Sequence, residues 1–169
     1  IVKVDGRKIS GGYSTLINPR KKIPPYVKNI TGITDEMVKD APEFNLVAPE
    51  IIKEIGNRVI VAHNASFDVN ILNFELGRTR NETLPNGALC TVKLSRKLVP
   101  GLAKYQLGKV AEYFNVEIND RHRATGDAEA TAKVLLRLLD IAEEKGIHTW
   151  SQLHKTGGYA KPADSDKSK

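Results

Sequence analysis

Two aspartates and one histidine stand out for the chemistry they could share. Asp68 closes the run His63-Asn64-Ala65-Ser66-Phe67-Asp68, and Asp127 closes His122-Arg123-Ala124-Thr125-Gly126-Asp127. Each carboxylate is predicted to lie in the first turn of a helix. Phe67, Ile71 and Phe74 recur around the first, and Thr131, Val134, Leu135, Leu138 and Ala142 follow the second at helical spacing. A first-turn carboxylate also stabilises a helix N-terminus by charge–dipole attraction, which would account for either residue alone. Brought together, two such groups repel unless a cation bridges them, and oxygen donors of this kind suit Mg²⁺ or Mn²⁺ rather than zinc. His122 lies in a polar loop between Arg121 and Arg123. An imidazole there can take a proton from water attacking a phosphodiester near neutral pH. Two metals about 3.5–4 Å apart would hold the attacking and leaving oxygens in line. A helix-capping Asp127 with a surface His122 is the other reading of the same residues.

The elements that must position these groups follow from the apolar pattern. Residues 59–62, Val-Ile-Val-Ala, read as a short buried strand, and a helix over about 66–77 carries Asp68 just past its end. That edge of an α/β sheet is where ligands gather. Residues 1–17 read as an antiparallel hairpin turned at Asp5-Gly6, with Gly11-Gly12 permitting a bulge. Residues 20–34 read as a loop that carries Arg20, Lys21 and Lys22, either a solvated basic loop or a lining for a phosphate backbone. Thr34 can cap a short turn through Met37 and Val38. Asp40, with Pro42 in the first turn, starts a helix that Gly56 ends. Residues 88–91 form another core strand, and 91–98 a helix bearing Lys93, Arg96 and Lys97. A further helix has Leu107, Val110, Ala111 and Phe114 on its inner face. Cys90, the single cysteine, reads as a small buried hydrophobe.

Composition narrows the class. A chain of 169 residues with 40% hydrophobic and 27% charged residues is predicted to be one globular domain. One cysteine excludes an internal disulfide framework and a clustered thiolate metal site. No apolar run reaches membrane-spanning length, and these features together predict a cytoplasmic protein. The net charge of +6 includes +2 from the last fifteen residues, leaving a mild bias compatible with a polyanion.

The two runs that end in Asp68 and Asp127 resemble the second and third motifs of the DEDDh 3′–5′ exonucleases. The resemblance is to the proofreading domains of the bacterial DNA polymerase III epsilon-subunit and PolC types. Val2-Lys3-Val4-Asp5-Gly6, Leu16-Ile17-Asn18-Pro19, Ile30-Thr31-Gly32-Ile33-Thr34-Asp35-Glu36-Met37 and Leu94-Ser95-Arg96 also match that group's wording. The resemblance implies an RNase H-like α/β fold, a mixed central sheet flanked by helices, over residues 1–153, with 154–169 as a flexible basic tail. It implies metal-dependent 3′–5′ hydrolysis of DNA to nucleoside monophosphates, in proofreading or repair, on single-stranded or frayed 3′ ends. A polymerase subunit or a fused domain is the implied partner. Asp68 and Asp127 would bind two divalent ions, Mg²⁺ or Mn²⁺, and His122 would be the general base. His63 and Asn64 would shape the cleft, with Asn64 touching substrate. Thr31, Gly32 and Ile33 would approach the 3′-terminal nucleotide, with Met37 close behind.

One part of the family pattern is missing. Its first motif, Asp-x-Glu on a central strand, would precede Ile1, and Asp5 in the hairpin turn cannot replace it. The opening in mid-strand therefore predicts an upstream segment carrying that strand; without it both the sheet and the metal cage are expected to be incomplete. Two other readings remain: an RNA-directed exonuclease using the same groups, or a non-catalytic nucleic-acid-binding module that retains the fold.

Overall fold

Asp5-Gly6 turns the chain as the sequence predicts. In the computed structural model, which describes residues 1–119 and 124–159, β1 (Val2–Asp5) and β2 (Lys8–Gly12) pair antiparallel across Gly6, whose φ is +61°. Val4 opposes Ile9 while Lys3 opposes Gly11, so Ser10 is the extra residue of a bulge. The strand stops at Gly12, short of the expected Ile17. Tyr13 and Ile17 instead pack sideways onto the core.

Residues 25–31, expected as loop, form the helix α1 (Pro25–Thr31). Pro25 enters its first turn with φ already helical, and Gly32, left-handed at φ 66°, closes it through a 2.7 Å bond from its N–H to the Lys28 carbonyl. Thr34 caps α2 (Asp35–Val38) by accepting from the Met37 N–H. The next helix, α3 (Phe44–Ile55), begins later than Asp40 and Pro42 suggested, with Glu43 at its N-cap. The backbone before it is engaged elsewhere. The Pro42 carbonyl accepts from the Asn18 N–H at 2.9 Å, and the Lys39 carbonyl accepts from the Asn18 side-chain amide at 2.9 Å.

β3 (Ile60–Ala62) leads into α4 (Ala65–Arg80), and β4 (Ala88–Cys90) into α5 (Thr91–Leu98). α6 (Leu107–Tyr113), α7 (Ala124–Glu144) and α8 (Trp150–Gly157) precede a last short strand, β5 (Gly158–Tyr159). β4 runs parallel to β3 and antiparallel to β5, a mixed sheet of order β3-β4-β5. Residues 154–159 thus lie in α8 and β5, inside the fold rather than in the expected tail; the residues beyond 159 lie outside those described.

The core lies on both faces of this sheet. Leu94, Leu98, Val110, Val134 and Leu138 close one side, from α5, α6 and α7; Val47, Ala48, Ile51, Leu76 and Leu84 close the other. The β1-β2 hairpin forms a second sheet, and α7 packs against both β1 and β3. Lys3 pairs with Glu54 at 2.9 Å and Arg58 with Asp5 at 3.4 Å, fastening the hairpin to the end of α3. β4, paired on both sides, is buried throughout, whereas β3 is only half-buried and pairs along one edge. No helix among the described residues is long and apolar enough to cross a membrane.

Candidate active site

The site is assembled where β3 ends. Three residues of strand carry the chain to His63, and Asn64 then takes a left-handed conformation, φ 77° and ψ 54°, before α4 begins at Ala65. Asparagine tolerates that region better than most residues. The bend throws α4 away from the strand and sets Asp68 in its first turn, as predicted. Asn64 is exposed, and its side-chain oxygen accepts from the Ser66 hydroxyl at 3.2 Å.

His63 is held at both ring nitrogens. Nε2 lies 2.8 Å from the Tyr105 carbonyl and Nδ1 lies 2.9 Å from the Thr91 hydroxyl. A carbonyl only accepts, so Nε2 carries a proton and the neutral ring takes the Thr91 hydrogen at Nδ1. Burial pushes the imidazole pKa below its ordinary value; the Tyr105 carbonyl and the Asp127 carboxylate pull it back up. Asp127 is half-buried in the first turn of α7, and α7 packs against β3, which leads into the His63–Asp68 run. The two runs read separately in the sequence come to one place. Thr91 and Tyr105 were not singled out as its supports. The only local signal was a hydroxyl directly after a core strand, followed by a tyrosine in a loop.

Asp68 keeps an open surface, yet burial of its carboxyl raises the pKa above the usual carboxylate range, with its own backbone N–H offsetting part of the rise. No cation is paired with it among the described residues. It borders a cleft of about 850 Å³. Ile71, Phe74 and Arg78 of α4 line one wall, and Arg20 and Lys21 of the predicted basic loop line the other. Arg20 is already engaged with Glu43 at 2.6 Å.

The segment expected to meet the 3′-terminal nucleotide is rigidly built. The Thr31 hydroxyl donates to the Val27 carbonyl at 2.8 Å and accepts from the Ile33 N–H at 3.2 Å. Asp35 accepts from the Ile23 N–H at 2.8 Å and pairs with Lys28, which lowers its pKa. Among the described residues the hydrogen bonds of Thr31, Gly32, Ile33 and Met37 close within this segment, and none ties it to Asp68 or Asp127. His122 lies outside the described residues.

Two first-turn carboxylates, one of them burdened by burial with no cation beside it, fit a hard divalent ion as donors. They are too few to cage one. Among the described residues no group of three or more His, Cys, Asp or Glu side chains could hold a metal.

Comparison with known proteins agrees with this architecture. The family model described as "Exonuclease" matches residues 1–135. The chain is 38% identical over 139 residues to the DNA polymerase III subunit epsilon of Aquifex aeolicus, covering 82% of this chain and 69% of that protein. It is 37% identical over 153 residues to the PolC-type DNA polymerase III of Caldanaerobacter subterraneus, covering 90% of this chain but 11% of the polymerase. A solved structure of exonuclease X with 5′-overhanging duplex DNA superposes with a TM-score of 0.73 at 32% identity, covering 92% of this chain and 86% of that one. A 3′-exonuclease bound to a histone mRNA stem-loop shares the fold, with a TM-score of 0.70 at 17% identity.

Proposed function

The chain belongs to this exonuclease family, and from that premise we propose that it hydrolyses DNA from the 3′ end to nucleoside monophosphates, in proofreading or repair. Exonucleases of this type are metal dependent. The observation that carries the reading is the packing of α7, which bears Asp127 in its first turn, against β3, whose end leads into His63 and Asp68.

In this reading Asp68 and Asp127 hold two divalent ions, Mg²⁺ or Mn²⁺. When bound, these ions supply the positive charge that keeps the attacking and leaving oxygens of the phosphodiester in line. His122 takes the proton from the attacking water. Thr31, Gly32, Ile33, Met37 and Asn64 position the 3′-terminal nucleotide. Among the described residues β1 and β3 each pair along one edge only, and both pack on α7. We assign a strand joining them to a segment upstream of Ile1, carrying the remaining acidic ligands. The exonuclease domain then runs from that strand through β5. Its place of action is the cytoplasm, alongside a polymerase subunit or as one domain of a larger polymerase.

The test is trimming of a 5′-labelled DNA strand and a matched RNA strand, with and without Mg²⁺, by the chain with its upstream segment and by its Asp68→Asn and His122→Ala variants. The expected result is a ladder shortening from the 3′ end of DNA that needs metal and collapses in both variants. Internal cuts, metal-independent release or faster loss of RNA would overturn the proposal.

A further inference from the structure

Two stretches of this chain carry basic residues and no acid. Residues 83–111 contain Lys93, Arg96, Lys97, Lys104 and Lys109 and no Asp or Glu; residues 145–159 contain Lys145 and Lys155 and again no acid. Together these stretches hold seven positive charges against a net +6 for the whole chain, so everything else is net negative. Widely separated in sequence, they meet in space through α5 and α8. Lys93 Nζ donates to the Gly158 carbonyl at 3.2 Å, and Lys97 Nζ donates to the Lys155 carbonyl at 3.4 Å.

Five of these cations, Lys93, Arg96, Lys97, Lys104 and Lys155, are exposed, and none forms an ion pair among the described residues. Lys109, in the same acid-free stretch, differs in pairing with Glu112. Lys93 and Lys97 are like charges one turn apart, an arrangement that costs a free helix stability. An anion laid across them removes that cost.

The α5–α8 face begins at the candidate active site. Thr91, the first residue of α5, bonds His63, and the Arg96 guanidinium lies 5.8 Å from the ring centre of Tyr105, whose carbonyl holds the same histidine. Eight residues of helix extend about 12 Å, enough to face more than one phosphate of a strand. We propose that the α5–α8 face binds the phosphodiester backbone of the substrate strand on the 5′ side of the nucleotides being removed. The assignment rests on the reading of the chain as a 3′-end exonuclease. Exposed cations without acidic partners, following one another along a helix, suit a chain of phosphates, each of which takes up one positive charge.

The experiment is anisotropy of a 5′-fluorescein-labelled dodecathymidylate with the chain and its upstream segment in chelator, over a range of salt, comparing wild type with K93Q/K97Q/K155Q. Folding of the variant is checked by its melting temperature. Loss of three phosphate contacts is expected to raise Kd about tenfold or more at low salt and to lower the log–log salt slope by about 2, at about 0.7 per contact on a single strand. Unchanged Kd and slope would overturn the proposal, as would a variant that binds the oligonucleotide normally but no longer binds polyglutamate. Metal-dependent trimming by wild type is measured in parallel. Weakened binding by the variant with no trimming by wild type would retire the exonuclease reading alone; normal trimming with unaltered binding would retire the α5–α8 face alone.

Discussion

The hydroxyl of Thr91, wholly buried at the start of α5, lies 2.9 Å from Nδ1 of His63 at the end of β3. With Nε2 donating to the Tyr105 carbonyl, this bond leaves the imidazole no free nitrogen. His63 is a tie between β3, α5 and the loop before α6, and a post for the turn that presents Asp68. Thr91→Val keeps the shape but leaves Nδ1 buried and unsatisfied. Its expected cost is about 1–3 kcal/mol in urea unfolding. Thr91→Ser, which keeps the hydroxyl, should recover most of the loss. Equal stability of the valine variant and wild type would show that the bond does not support the site.

The same residue makes stability pH-dependent. Because burial lowers the His63 pKa below its ordinary 6.5, the unfolded chain binds this proton more readily than the folded one. The stabilisation by the neutral ring is complete above pH 6.5 and is lost as the pH falls from 6.5 toward the folded-state pKa. His63→Gln should flatten that part of the curve of unfolding free energy against pH. A slope that persists unchanged in the variant assigns it to other groups.

Asp68 and Asp127 carry the metal assignment, and it has a readout apart from catalysis. Millimolar MgCl₂ should raise the melting temperature of the chain with its upstream segment, since an ion that binds only the folded state stabilises it by mass action. The rise should shrink in Asp68→Asn and in Asp127→Asn. Trimming of DNA by either variant should drop by about 10²–10³-fold, the scale for losing one preorganised electrostatic group. A full thermal shift in both variants would move the metal elsewhere.

Gly157 ends α8 against Leu94. A Cβ built there would lie 2.3 Å from the Leu94 Cγ and 2.5 Å from its Cδ2, and Leu94 is wholly buried. Gly157→Ala should therefore destabilise by about 1–3 kcal/mol through overpacking. Leu94→Ala in the same background should relieve the clash, so the two changes should be non-additive in thermal melts. Simple additivity would mean that α8 is not seated on α5 in solution.

The open edges of β1 and β3 predict a pattern of hydrogen exchange. In residues 1–169 alone, amides of β4, paired on both sides, should exchange more slowly than those of β1 and β3. Adding the upstream segment should slow both edge strands together. Protection of only one of them would show that the added segment does not pair with both.

Much of the site is legible in the sequence because it is local. The first-turn positions of Asp68 and Asp127 follow from apolar spacing and from helix starts, both set by residues a few places away. The same holds for β3, α5 and the long stripe of α7. Local patterns also mislead: Asp40 and Pro42 look like a helix start, but the carbonyls of Lys39 and Pro42 hold Asn18 instead. Residues 25–31 carry too weak a stripe to announce α1. What the tertiary structure alone decides is pairing across distance. His63 finds Thr91 28 residues away and Tyr105 42 residues away. Gly158 and Tyr159 become an edge strand only because β4 offers one, and two acid-free stretches become one charged face only because α8 lies on α5. Short-range periodicity encodes which residues can lie together on an element; which elements meet is settled by how their apolar faces and hydrogen-bonding edges are buried together.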